Sequence, residues 1–282
     1  FIALTAFVFL TLTTHAAVTG WTNWRGPHQA GRSDATDLPK SIKPTDALWT
    51  HNIAGRGHAV IANGRVFTWG YRGKDADLQE VLFCLDEANG KTIWEHGYND
   101  YLSDTVYSRY TVGAPTIDPA TGWVYLMTTN GGVKCFNADG KIQWEYSLME
   151  RFGRLTFPNG RTGAAVIDGD LVIVRGVTSY WGKQGPARDR FYAFKKKTGA
   201  PVWASTPGVA PQDSSFSTPI VESRYGTRVF YAGTGDGNLV CVNALNGKPL
   251  WRFHMSFGGV NSSPVIYKDT VICPHGKENI DT

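Results

Sequence analysis

Short runs rich in β-branched and aromatic residues alternate with Asn, Asp and Gly turns along most of this chain. Each cycle opens on an apolar start: Ala59-Val60-Ile61, Pro115-Thr116-Ile117, Ala165-Val166-Ile167, Pro219-Ile220-Val221 and Pro264-Val265-Ile266. A turn follows, as at Asn63-Gly64 or Asp168-Gly169, and then a second apolar run such as Val66-Phe67 or Val229-Phe230-Tyr231. A third run (Val81 to Asp86, Val133 to Asn137, Phe191 to Lys195, Leu239 to Asn243) ends before a glycine turn, and a fourth carries a tryptophan. Runs of this composition between turn signals predict antiparallel strands, four to a unit. Asn89-Gly90, Asp139-Gly140 and Asn246-Gly247 predict two-residue hairpins, because Gly and Asn tolerate the positive φ such turns need.

The tryptophans set the period. Trp49, Trp94, Trp144, Trp203 and Trp251 stand 45, 50, 59 and 48 residues apart. Repeats of this length built from four short strands predict an all-β fold, a β-propeller of four-stranded antiparallel blades. A small residue precedes each of four tryptophans: Cys84, Ala193 and Cys241 by ten positions, Cys135 by nine. That spacing suggests docking pairs in which the indole lies over a neighbouring blade, each burying a large apolar area.

At these residues the chain resembles the pyrroloquinoline-quinone-like (PQQ-like) repeat family, and within it BamB-like exported bacterial proteins. The family motif Ala-x-Asp-x-x-Thr-Gly-x-x-x-Trp stands here as Cys84 to Trp94, Ala193 to Trp203 and Cys241 to Trp251, and one residue short as Cys135 to Trp144. The resemblance covers about residues 45 to 274. It implies a ring of seven or eight blades. Four blades, half of a fifth and one closing strand at Trp49 are expected in this chain, so a closed ring needs roughly 100 to 150 further residues. The complete protein is expected to be a monomer. No Trp-Asp dipeptide supports the other common propeller repeat.

The two ends add organisation. Residues 1–17 read as a truncated signal peptide: an apolar run from Phe1 to Leu12 precedes the small residues Ala16 and Ala17, a pattern that predicts export to the periplasm or beyond. Residues 18–44 form an N-terminal strap opening on Trp21-Thr22-Asn23-Trp24-Arg25-Gly26-Pro27, packed on the ring by its two indoles or, alternatively, a lid with Arg25 facing a ligand. Residues 45–282 form the propeller. The net charge, 28 − 24 = +4, is spread thinly. Its one cluster, Lys195-Lys196-Lys197, reads as a solvated hairpin, and no nucleic-acid partner is predicted.

Candidate chemistry is sparse. The cysteines at equivalent blade positions read as buried apolar residues, too far apart for the Cα spacing of a disulfide. The seven histidines form no short-spaced metal pair, and Gly233-Thr-Gly235-Asp-Gly237 reads as a hairpin turn. Propeller geometry points instead to the loops from fourth to first and from second to third strands. Arg109, Tyr110, Arg151, Arg154, Arg161, Trp181 and Arg188 lie there, and guanidinium forks suit planar carboxylates. A small anionic ligand is one expected partner, and a protein is the other.

Two functions follow from the resemblance. One is a binding or assembly scaffold of the BamB type, with no cofactor. The other is a PQQ-dependent alcohol or sugar dehydrogenase, which needs Ca²⁺ beside the quinone and a carboxylate base. Scattered acids are present (Asp100, Asp104, Glu150, Asp213), but the adjacent cysteines of the known PQQ alcohol dehydrogenases are not. That difference favours the scaffold.

Overall fold

The computed structural model describes residues 17–99, 110–152, 163–178, 187–212 and 215–275. Four four-stranded antiparallel blades follow one another along the chain. Blade one holds β2 (Val60–Ala62), β3 (Arg65–Arg72), β4 (Gln79–Asp86) and β5 (Thr92–Asn99), and a short strand β1 (Gly20–Trp21) pairs with the free edge of β2. Blade two holds β6 (Thr116–Ile117), β7 (Val124–Met127), β8 (Gly132–Phe136) and β9 (Ile142–Ser147). A single helical turn, α1 (Leu148–Phe152), leads out of it. Blade three holds β10 (Val166–Asp168), β11 (Leu171–Thr178), β12 (Arg188–Lys195) and β13 (Pro201–Ser205). Blade four holds β14 (Ile220–Arg224), β15 (Thr227–Gly233), β16 (Asn238–Asn243) and β17 (Pro249–His254), and a hairpin of β18 (Val265–Tyr267) and β19 (Thr270–Ile272) comes after it.

The core lies between blades, because each sheet is apolar on both faces. Phe67, Trp69 and Leu82 of blade one pack on Val124, Leu126 and Phe136 of blade two. Tyr125 and Val133 pack on Val174, Tyr192 and Phe194 of blade three. Ile173 and Phe191 pack on Phe230 and Val240 of blade four.

The tryptophan spacing has a simple geometric meaning. Cys84, Cys135, Ala193 and Cys241 are the direct cross-strand partners of Trp94, Trp144, Trp203 and Trp251, each beside a β-bulge. The small residue thus faces its indole within one blade, while the indole reaches the next. Trp94 Nε1 donates to the carbonyl of Ala138 at 3.0 Å, Trp144 Nε1 to Lys196 at 2.8 Å and Trp203 Nε1 to Ala244 at 3.2 Å. The receiving surface is the turn glycine. A Cβ on Gly140, Gly199 or Gly247 would lie 2.6–2.7 Å from the docked indole. These glycines also hold φ of +82°, +69° and +72°. They are required twice, for left-handed backbone and for close approach.

Two expectations, one about turns and one about a strand, are corrected. The third-to-fourth connections are not two-residue hairpins. In blade four Asn243 N–H bonds Lys248 O across a four-residue loop, and Asn243 Oδ1 accepts from Leu245 and Asn246 N–H. The Asx side chain caps the loop, so only the glycine takes positive φ. Two-residue hairpins occur instead between first and second strands, as at Asn63-Gly64, with φ of +53° and +72°. Trp49 was the other expectation, a closing strand. It lies outside any strand, and Pro39 stands ten residues before it, where other units supply the cross-strand partner. Its indole docks all the same: Nε1 donates to Glu87 O at 2.8 Å, over Gly90.

Buried carboxylates add a second tie between blades. Asp189, fully buried at the start of β12, binds Arg175 through both oxygens and accepts Gly235 N–H of blade four at 2.7 Å. Arg175 also reaches Ser215 Oγ, Ser217 O and Gly233 O. Glu80 holds the same place in blade one, four residues before Cys84, and accepts Thr129 N–H of blade two at 3.1 Å. The Thr234–Gly237 segment is a tight turn, as its sequence predicts.

Candidate functional site

The first strand of each blade leaves one edge unpaired within its own sheet, and the N-terminal strap runs along these edges. Val18 N–H bonds Pro119 O at 2.7 Å, β1 pairs with β2, and Thr22 O accepts Ile117 N–H of β6 at 2.7 Å. Further on, the Gln29 carboxamide binds Val221 of β14 at both ends: Oε1 accepts its N–H at 3.1 Å, and Nε2 donates to its carbonyl at 3.3 Å. Arg25 donates to the carbonyls of Ser263 and Pro264, each at 3.0 Å. Its guanidinium lies 4.6 Å from the Trp24 ring, which meets His58 edge-on. The Arg25 fork is bonded to main chain, and the same residue lines the cavity beneath the strap. Burial lowers its pKa.

Between strap and inner strands lies a cavity of about 660 Å³. Apolar walls come from Val18, Ile117, Val166, Ile167 and Ile220, and polar ones from Thr116, Thr218, Asn23 and Gln29. Four charged side chains reach it from the blades, in two ion pairs. Arg228 of β15 binds Asp168 at the end of β10 at 2.5 Å, and Lys196 binds Asp118 at 3.1 Å. Lys196 corrects the expectation of a solvated lysine cluster. Lys195 and Lys197 are exposed, but Lys196 is 8% exposed. Its carbonyl is held by Trp144 Nε1 and by the Tyr125 hydroxyl at 2.9 Å, which fixes the turn so that the ammonium meets Asp118.

None of the described loop residues singled out from the sequence lines this cavity. Tyr110 is buried with its ring 5.6 Å from that of Tyr71. Arg151 is exposed on α1, over the Tyr146 ring at 5.1 Å. Arg188 is half-buried and donates to Ala187 O. Arg109, Arg154, Arg161 and Trp181, with Asp100, Asp104, Asp213 and all but the last residue of the signal peptide expected at 1–17, lie outside the described residues. Sequence reading passed over the pairing of Asp118 with Lys196 and of Asp168 with Arg228, because it joins residues of different blades. The readable signal was position: Asp118 and Asp168 each follow the last apolar residue of a strand start.

The cysteines are free thiols. Cys84, Cys135 and Cys241 are buried, and burial raises Cys84 and Cys241 to about 11 and Cys135 to about 12. Among the described residues, no group of three or more His, Cys, Asp or Glu side chains could hold a metal ion, and no helix is long and apolar enough to cross a membrane.

The family model described as outer membrane protein assembly factor BamB matches residues 16–176 and 187–280. BamB from Moraxella catarrhalis has a similar structure, with a TM-score of 0.51 at 16% identity over 82% of this chain and 59% of that one. The quinohemoprotein alcohol dehydrogenase ADHIIG from Pseudomonas putida HK5 gives 0.51 at 15% identity, over 79% and 39%. A europium-containing methanol dehydrogenase gives 0.51 at 15%, over 76% and 45%. The chain thus spans between two fifths and three fifths of the solved structures it matches. At these identities the likeness is one of fold. No curated protein matches the chain significantly.

Proposed function

The chain belongs to the BamB family of PQQ-like repeat β-propellers, and from that premise we propose that it is an exported binding scaffold of the bacterial periplasm or cell exterior. Its task is to hold other polypeptides, as the family description, outer membrane protein assembly factor, suggests. The observation that carries this reading is the state of the cavity carboxylates. Asp118 and Asp168 are each bonded to a cation. Both pairs join neighbouring blades, a structural use of charge that suits a scaffold.

The dehydrogenase alternative needs a quinone with a divalent cation beside it. Its donor set weighs against it. The described residues gather no cluster of metal-binding side chains, and the two acids that line the cavity are paired. The residues described do not fit that cofactor pair.

The test uses the full-length protein. Calorimetric titration with PQQ and Ca²⁺ should give no saturable heat. A fluorescent, unfolded outer-membrane β-barrel chain should bind saturably in an anisotropy titration. Micromolar PQQ binding, with dye reduction in the presence of alcohols or sugars, would overturn the scaffold reading.

A further inference from the structure

The strap treats the inner strands unequally. In each blade one residue of the first strand sits at a pairing position where its N–H and C=O point away from the neighbouring strand. In blade one that residue is Ile61, opposite Val66, and it pairs with Trp21 of the strap. In blade two it is Ile117, opposite Val124, which donates to Thr22 O. In blade four it is Val221, opposite Phe230, bonded at both ends by Gln29. In blade three it is Ile167. A two-residue loop, Gly169-Asp170, closes the hairpin, so Asp168 and Leu171 form the bonded pair and Ile167, opposite Val172, faces outward. Among the described residues no hydrogen bond reaches the main chain of Ile167. The edge it leaves open faces the 660 Å³ cavity.

We propose that this cavity binds a short extended peptide segment, whose main chain adds to the β10 edge at Ile167. The inference rests on the scaffold reading and names what the scaffold takes in this site. The strap supplies the precedent within the same molecule. One carboxamide, a donor and an acceptor side by side, satisfies the equivalent residue Val221, and a peptide unit carries the same two groups. Strand addition to an open edge is a general mode of peptide recognition, with main-chain bonds giving affinity and flanking pockets selecting side chains. The flanks here are apolar: Ile117 comes from blade two, and Val166, Pro219 and Ile220 lie where blade three meets blade four. The charges that the blades bring are paired, Lys196 with Asp118 and Arg228 with Asp168, and the Arg25 guanidinium is bonded to main chain, which suits an uncharged segment. The volume is in the range of pockets that enclose small ligands, about 300–1,000 Å³.

The test is calorimetric titration of the full-length protein with acetylated, amidated Val-Thr-Val-Thr. The expected result is saturable binding that weakens at least tenfold in Ile167→Pro. Proline removes the outward N–H without breaking a β10–β11 ladder bond, and Ile167→Ala, which loses the same side-chain packing but keeps the N–H, is the control that should bind like the unaltered protein. Should that variant fail to fold, the same peptide with its valine nitrogens methylated should lose at least tenfold on the unaltered protein. Equal affinity in either comparison, displacement by citrate, or an unfolded barrel chain that binds while the tetrapeptide does not would each overturn the proposal. The last outcome would leave the scaffold reading standing. PQQ-dependent dye reduction would remove that reading itself.

Discussion

Replacing Gly199 by alanine asks two things of one residue. Alanine must enter the left-handed region, and its Cβ must find room 2.6 Å from the Trp144 indole. Gly226 has a similar φ of +77°, but nothing lies within 4 Å of its Cβ position. Gly226→Ala should therefore cost only the backbone term, about 1–2 kcal/mol. Gly199→Ala should cost that plus about 1–3 kcal/mol of overpacking. Urea midpoints of the two full-length variants give the difference directly, and equal midpoints would remove the docking argument. The buried thiols give a second prediction at this scale. Cys84, Cys135 and Cys241 should resist iodoacetamide at pH 8 in the native protein, and all four cysteines should react in denaturant, as counted by mass spectrometry. The pH sign follows from the same burial. Below the ordinary thiol value of 9.0 both states keep the proton. Above it the unfolded chain releases a proton that the folded chain holds to about 11. Stability should fall over that interval, and less steeply in Cys241→Ala. The tryptophans and turn glycines were legible because they recur at a fixed distance. The indole's partner carbonyl was not, since it lies a whole blade away in sequence.

At the scale of elements, the strands followed from their composition, and the ties between sheets did not. Asp189 and Glu80 each stand four residues before a legible small residue, Ala193 and Cys84. Blades two and four carry Gly131 and Gly237 there instead, so no four-fold pattern draws attention to them. What gives Asp189 its role is burial together with Arg175, which a one-dimensional pattern does not contain. Asp189→Asn would leave Arg175, 3% exposed, without its counter-charge. Breaking one side of a buried pair costs about 3–5 kcal/mol. Thermal unfolding of the full-length variant should show a loss of that size. A change within experimental error would mean that the Ser215, Ser217 and Gly233 oxygens hold the guanidinium unaided.

Across the whole molecule, the ring and its strap form one hydrogen-bonded unit. Arg25 and Gln29 tie the strap to β14 and to the segment entering β18. In the double variant Arg25→Ala, Gln29→Ala, amide exchange at Val221 should accelerate, while Ile167, whose N–H no described group accepts, should exchange fast in both proteins. Unchanged Val221 exchange would show that the strap is held by β1 and the bonds of Val18 and Thr22 to blade two. The strap's indoles were readable from its sequence, but the cavity beneath it was not, because its walls come from three different blades. The indole relay also gives the array a sense of direction. Each blade offers a ring forward and presents a glycine backward, so neighbours meet like coupled carriages rather than mirror images. Blade two is cut to a different gauge: its turn is one residue shorter, and the carbonyl that receives Trp94 stands two places before its glycine, against three in blades three and four. A chimera that exchanged blades two and three would present each hook with the wrong eye, so the order of the units is written into the couplings as well as into the chain.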